Sequence, residues 1–168
     1  RGTWPGDEGV FEIEELQKNY GFAKLLELYQ KSPGRREPPC PHLGFEAGKC
    51  GGCPWMIADY SSQLREKEKL IKEQLERSKL ISNFEILKPI QGSPDEFKYR
   101  NRAQFKTDGK KIGFVSTGTN VLAEIENCMI LTEKNQNHFS KLRSQLPKQD
   151  WEPQDGEDWN FLEIDENM

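Results

Sequence analysis

Apolar positions recur with two different spacings along this chain. Residues 10–30, VFEIEELQKNYGFAKLLELYQ, hold two apolar-rich runs around KNYG, where Asn19 and Gly21 supply turn chemistry. They predict a β-hairpin, although Ala23, Leu25, Leu26 and Leu28 are good helix formers and leave a short helix open for the second run. The segment SPGRREPPCP, residues 32–41, carries four prolines and a glycine and predicts an extended connector at a domain boundary. Beyond it the period lengthens. Tyr60, Leu64, Ile71 and Leu75 fall near one face of a helix that Asp59 can cap and that runs to about Leu80, with charged residues filling the rest. FEILKPI at 84–90 reads as a strand, and YRNRAQFKTDGKKIGFV as two strands joined at Asp108-Gly109, a strong hairpin signal. A further strand, VLAEI at 121–125, precedes a helical pattern at 131–146 that Pro147 ends. The expectation is an α+β chain, in which a partial β segment is followed by a small mixed α/β domain with an antiparallel sheet and two helices.

Composition makes the expected core thin. Counted with glycine and without tyrosine, apolar residues form about 40% of the 168, against the ~45–50% usual in globular domains. No run approaches the ~18 apolar residues that span a bilayer, and the first residues, RGTWPGDEGV, lack the grading of a signal peptide. A soluble, cytoplasmic, monomeric protein without membrane association is expected. The net charge of -4 is unevenly spread: residues 150–168 hold eight acids and no Lys or Arg, which leaves 24 basic against 20 acidic residues in the other 149. A body of net +4 admits an anionic partner, while the acidic segment, 147–168 with its flank, reads as solvated surface or linker.

Four cysteines carry the candidate chemistry. Cys40, Cys50 and Cys53 follow a C-x9-C-x2-C spacing within CPHLGFEAGKCGGCP, and Cys128 follows after 74 intervening residues. A secreted disulfide framework would be smaller and denser in cysteine. Structural zinc usually draws on two close pairs, whereas three ligands from one loop and one remote ligand are common for iron-sulfur clusters. Gly51 and Gly52 let backbone N–H groups approach sulfur. Other readings stay open: zinc, a small buried Cys128 in NCMIL, a redox dithiol at Cys50 and Cys53, and His42 as a substitute ligand or an ordinary loop histidine.

The order PGDEG, EPPCPH, CGGCPWMIADYSSQL, YRNRAQF and IGFVSTGTNVLAEIENC, spanning most of residues 4–131, resembles the iron-sulfur type of RNA (uracil-5-)-methyltransferase, which acts on large ribosomal RNA or tRNA. The resemblance implies the carboxyl half of a TRAM domain, a small OB-like barrel, over 1–31; a linker over 32–39; an iron-sulfur central domain over 40–146; and an acidic segment over 147–168 leading toward a catalytic domain. It places Cys40, Cys50, Cys53 and Cys128 on the ligands of a 4Fe-4S cluster. It departs from the family in the longer gap between the first two ligands, in Met129 where proline is common, and in the sparsely charged Val115-Ser116-Thr117 and Thr119-Asn120. The family's catalytic cysteine, base and S-adenosylmethionine pocket belong to a final domain with no counterpart in these 168 residues. No catalytic residue is therefore assigned, and the chain alone is expected to be inactive. The alternative is a zinc-stabilised RNA-binding module.

For RNA contact the window 98–111 stands out, with six basic residues against Asp108 and a net of +5. Strand alternation sends Arg100, Arg102, Gln104 and Lys106 to one face and Tyr99, Asn101, Ala103 and Phe105 to the other. Lys98, Arg100, Arg102 and Lys106 are the expected phosphate contacts, and Tyr99 and Phe105 are expected in the core. A charged, solvated hairpin edge is the alternative. Tyr20 and Phe22, with Lys18 and Lys24, form a weaker candidate for which ordinary packing is expected.

Overall fold

A computed structural model describes residues 2–79, 83 and 87–167. The described residues form two α-helices and two antiparallel sheets, an α+β fold, in two units that interleave along the sequence. Thr3–Pro38 joins Trp55–Pro94, and Pro39–Pro54 joins Asp95–Met168. No helix among the described residues is long and apolar enough to cross a membrane.

In the first unit β1 (Glu8–Leu16) and β2 (Gly21–Gln30) pair antiparallel from Glu8 opposite Gln30 to Leu16 opposite Gly21, with three register irregularities. The second apolar run is thus a strand, because pairing with β1 outweighs a helix propensity worth only tenths of a kcal/mol per residue. Helix α1 (Tyr60–Ser78) starts where the Asp59 carboxylate accepts the Ser62 N–H at 2.7 Å and the Ser62 hydroxyl at 2.8 Å. It stops at Lys79, whose left-handed φ of 55° ends the helical geometry. Its apolar stripe is largely unburied: Ile71, expected on the packed face, is exposed.

The proline-rich connector does more than link. The Arg36 N–H donates to the Ile57 carbonyl at 2.8 Å and the Asp59 N–H to the Gly34 carbonyl at 2.9 Å. Gly34 is needed there, since a Cβ would lie 2.4 Å from the Ser62 hydroxyl oxygen. Around this junction Trp4, Met56, Ile57 and Ala58 are buried, and Trp4 meets Trp55 edge to face at 5.2 Å. The contact grouping thereby sets α1 with the hairpin unit, whereas the linear boundaries assign it to 40–146. Of the expected strand at 84–90, residues 84–86 lie outside the described set, and Leu87 to Ile90 form no strand.

The second unit is a four-stranded sheet in the order β5-β4-β3-β6, all neighbours antiparallel. β3 (Arg102–Thr107) and β4 (Ile112–Val115) flank the expected turn. There the Asp108 carboxylate accepts the Lys110 and Lys111 N–H groups, and Gly109 takes φ +82°. β5 (Leu122–Glu124) lies so near β4 that a Cβ on Gly113 would meet the Ala123 carbonyl oxygen at 1.9 Å. Helix α2 (Glu133–Arg143) begins at its Thr132 cap, shorter than the 131–146 pattern. The core gathers Ala103, Phe105, Ile112, Ile125, Leu131, Phe139 and Ile164, with the Phe105 and Phe139 rings 4.5 Å apart.

The acidic segment corrects the expectation of a solvated linker. Asn160–Asp165 is a sixth strand, β6, paired with the whole of β3 from Arg102 opposite Asp165 to Thr107 opposite Asn160. Ile164 is buried in the core and Leu162 packs against it, while Glu163 lies on the opposite face with Phe161. Two inward apolar residues and a full ladder of backbone bonds suffice to hold the strand despite its charge.

Candidate functional site

All four cysteines belong to the second unit, and each is half-buried and free of disulfide. The loop from Cys40 to Cys53 folds back on itself: the Cys50 N–H donates to the His42 carbonyl at 2.8 Å, the Gly44 N–H to the Cys50 carbonyl at 3.3 Å, and Leu43 bridges Cys50 in parallel. The residues lengthening the gap between the first two cysteines turn at Gly48, φ +86°, whose N–H donates to the Ser116 hydroxyl oxygen at 2.8 Å. Gly51 closes the same side, because a Cβ there would stand 2.1 Å from the Thr117 hydroxyl oxygen. His42 Nε2 accepts the Glu126 N–H at 3.2 Å. That lone pair is occupied, so His42 is a tether between the cysteine loop and the approach to Cys128, not a spare ligand. These tethers were missed in the sequence; the density of glycine at 44, 48, 51 and 52 was the available signal.

Cys128 enters from the other side, just before α2. Its N–H donates to the Gln136 side-chain oxygen at 2.9 Å, its carbonyl accepts the Leu131 N–H at 3.1 Å, and it packs, like Cys50, against the core. Burial pushes the Cys53 thiol up to about 11, with Cys128, Cys50 and Cys40 adding to the rise and Arg100 opposing it. Burial also raises Cys50 and Cys128, and both feel Cys40 as a like charge; the Gly52 N–H opposes the rise at Cys50, and the Ile130 and Leu131 N–H groups oppose it at Cys128. Cys50, Cys53 and Cys128 are therefore each made costlier to ionise by their surroundings. Among the described residues no group of three or more His, Cys, Asp or Glu side chains is arranged to hold a metal ion.

The basic residues divide. Lys98 and Arg100 precede the regular sheet and are exposed. The Lys98 N–H donates to the Met129 carbonyl at 3.0 Å and the Arg100 N–H to the Ile130 carbonyl at 2.7 Å. Arg102 and Lys106 face β6 instead: Arg102 pairs with Glu163, and Lys106 Nζ sits 3.2 Å from the Phe161 ring centroid. Phe105 is buried as expected, but Tyr99 is 58% exposed, which corrects its placement in the core. Alternation fails at Tyr99 because β3 begins only at Arg102. Tyr20 and Phe22 are likewise exposed, each packed edge-on against the other at 5.7 Å, so burial does not account for them.

An α+β unit carrying four free thiols and an exposed segment of Lys98, Tyr99 and Arg100 is the class of arrangement the second unit defines. Comparison with known proteins gives that class particular relatives. No family model matches the chain. It is 45% identical over 168 residues to an uncharacterized RNA methyltransferase of Nitrosomonas europaea, covering 98% of this chain and 43% of the relative. A like-named protein of Bdellovibrio bacteriovorus is 34% identical over 144 residues, covering 86% of this chain and 35% of its own. In fold the chain is similar to the crystal structure of Pyrococcus abyssi tRNA (uracil-54, C5)-methyltransferase in complex with S-adenosyl-L-homocysteine, with a TM-score of 0.60, 24% identity, and coverage of 85% of this chain and 30% of that one. The chain spans less than half the length of these relatives.

Proposed function

We propose that this chain is the RNA-binding and cysteine-site portion of a cytoplasmic, S-adenosylmethionine-dependent RNA (uracil-5-)-methyltransferase acting on 23S ribosomal RNA or tRNA. The observation that carries the reading is the 45% identity to a protein named an RNA methyltransferase, sustained along 98% of the chain. In this reading β1 and β2 belong to a TRAM domain, and the second unit is the central domain, working as a monomer. Cys40, Cys50, Cys53 and Cys128 hold a 4Fe-4S cluster. What supports this reading is the donor set: four free thiols from two separate segments of one unit. A bound cluster supplies a covalent clasp between the cysteine loop and the approach to α2. Loading it would require all four sulfurs as thiolates.

Methyl transfer is assigned to the longer protein to which such a chain corresponds; these 168 residues alone are expected to transfer nothing from labelled S-adenosylmethionine to ribosomal RNA or tRNA. The test of the cysteine site is anaerobic purification followed by iron, sulfide and zinc analysis. About four iron and four sulfide per chain, lost together in Cys128→Ser, is the expected result. Colourless protein with one zinc turns the reading into a zinc-stabilised RNA-binding module, and metal-free thiols remove the cofactor from it.

A further inference from the structure

We propose that Tyr99 is a stacking platform for one unpaired base of an RNA strand whose phosphates pass Lys98 and Arg100. The inference rests on the RNA-binding reading above and adds to it the form of RNA recognised. A tyrosine with an apolar ring and 58% exposure needs an account when the alternation of its own segment would bury it with Phe105. Here the backbone is arranged to keep it out. Lys98 adopts φ +55°, a left-handed conformation that costs a non-glycine residue about 1 kcal/mol. The segment then runs parallel to 129–132, fixed by the Lys98 N–H to Met129, the Arg100 N–H to Ile130 at 2.7 Å, and the Thr132 N–H to the Arg100 carbonyl at 3.0 Å.

The ring is therefore carried on pinned backbone, and both sequence neighbours are exposed cations. An exposed ring with a cation on either side in the sequence suits a base and its flanking phosphates, because any base offers a face to stack on and each phosphate a charge to neutralise. Duplex RNA does not fit, since its bases are already stacked within the helix. The segment backing Tyr99 leaves directly from Cys128, so platform and cysteine site share one backbone frame.

The test uses fluorescence anisotropy of the 168-residue chain with a labelled single-stranded oligouridine of about a dozen nucleotides, an RNA duplex, and poly-glutamate as a non-nucleic polyanion. Tyr99→Phe should bind the single strand within about twofold of the parent, while Tyr99→Ala and Tyr99→Leu should each lose about 5- to 100-fold, with the salt slope unchanged because no charge is removed. Arg100→Ala should instead flatten that slope by about 0.7. Equal binding by Tyr99→Leu and the parent would make the ring mere apolar bulk and overturn the platform. Undiminished RNA binding by Tyr99→Ala would overturn it too, and if poly-glutamate binding alone fell, would reassign the patch to an acidic polypeptide. In both cases the RNA-binding reading stands, whereas a parent chain that binds no RNA overturns that reading itself.

Discussion

The hairpin of the first unit and the sheet of the second are built from similar antiparallel ribbons and come to opposite ends. In the hairpin Val10, Phe11, Ile13, Leu16, Phe22, Leu26 and Tyr29 are all exposed, Ile13 to 63%. In the sheet Phe105 and Ile112 are wholly buried. Apolar alternation gives a ribbon a face to bury, but a two-stranded ribbon has nothing of its own to cover that face. The sheet gains β5, β6 and α2 as partners; the hairpin is held at its base. There the Asp7 carboxylate accepts the Trp4 N–H, the Ser32 N–H at 2.9 Å and the Arg35 guanidinium at 2.6 Å. One region is stabilised by packing and the other by a polar knot.

Truncation separates the two most strongly. Phe139→Ala removes a fully buried ring stacked on Phe105 and should cost the second unit about 3–5 kcal/mol. Ile13→Ala on the hairpin should stay within about 0.5 kcal/mol. Hydrogen exchange read unit by unit checks both, and equal losses would erase the contrast. The next effect is at the knot. Asp7 is 1% exposed and Arg35 14%, so Asp7→Ala removes the acceptor of one guanidinium and two N–H groups, for a cost of about 3 kcal/mol confined to the first unit. The acid limb should move with it. Burial raises the Asp7 carboxyl, but the Ser32 and Trp4 N–H groups and Arg35 together hold it below its usual 3.8. Its contribution is complete above that value and is lost as pH falls through the lowered one.

Much of this was legible in the sequence wherever the signal was local. Asp108-Gly109 marked its hairpin and Asp59 its helix cap, because both act on backbone within three residues. The cysteine spacing named four thiols, and all four lie in the second unit. What escaped depended on distant partners. β6 offers only Leu162 and Ile164 to the core amid acidic residues, and it pairs with a strand some 60 positions earlier, Glu163 with Arg102 across 61. The conformation between Cys40 and Cys50 rests on Ser116 and Glu126, 68 and 84 positions from their partners. Tyr99 misled because alternation holds only along paired strand, and pairing with β6 starts three residues later.

The smallest effect sharpens the comparison within the first unit, where caps rather than packing hold α1. The Asp59 carboxylate accepts the Ser61 hydroxyl, the Ser62 N–H and the Ser62 hydroxyl, and these bonds hold it at about 2. Because the folded value lies below the unfolded one, the cap contributes fully above about pH 4 and fades as pH falls toward 2. Asp59→Ala should cost about 1 kcal/mol at neutral pH. The gap between parent and variant should narrow between pH 4 and 2, read from Trp4 and Trp55 fluorescence during denaturation with the second unit as internal control. A gap independent of pH would mean that α1 is held by its apolar face after all, and the first unit would then resemble the second.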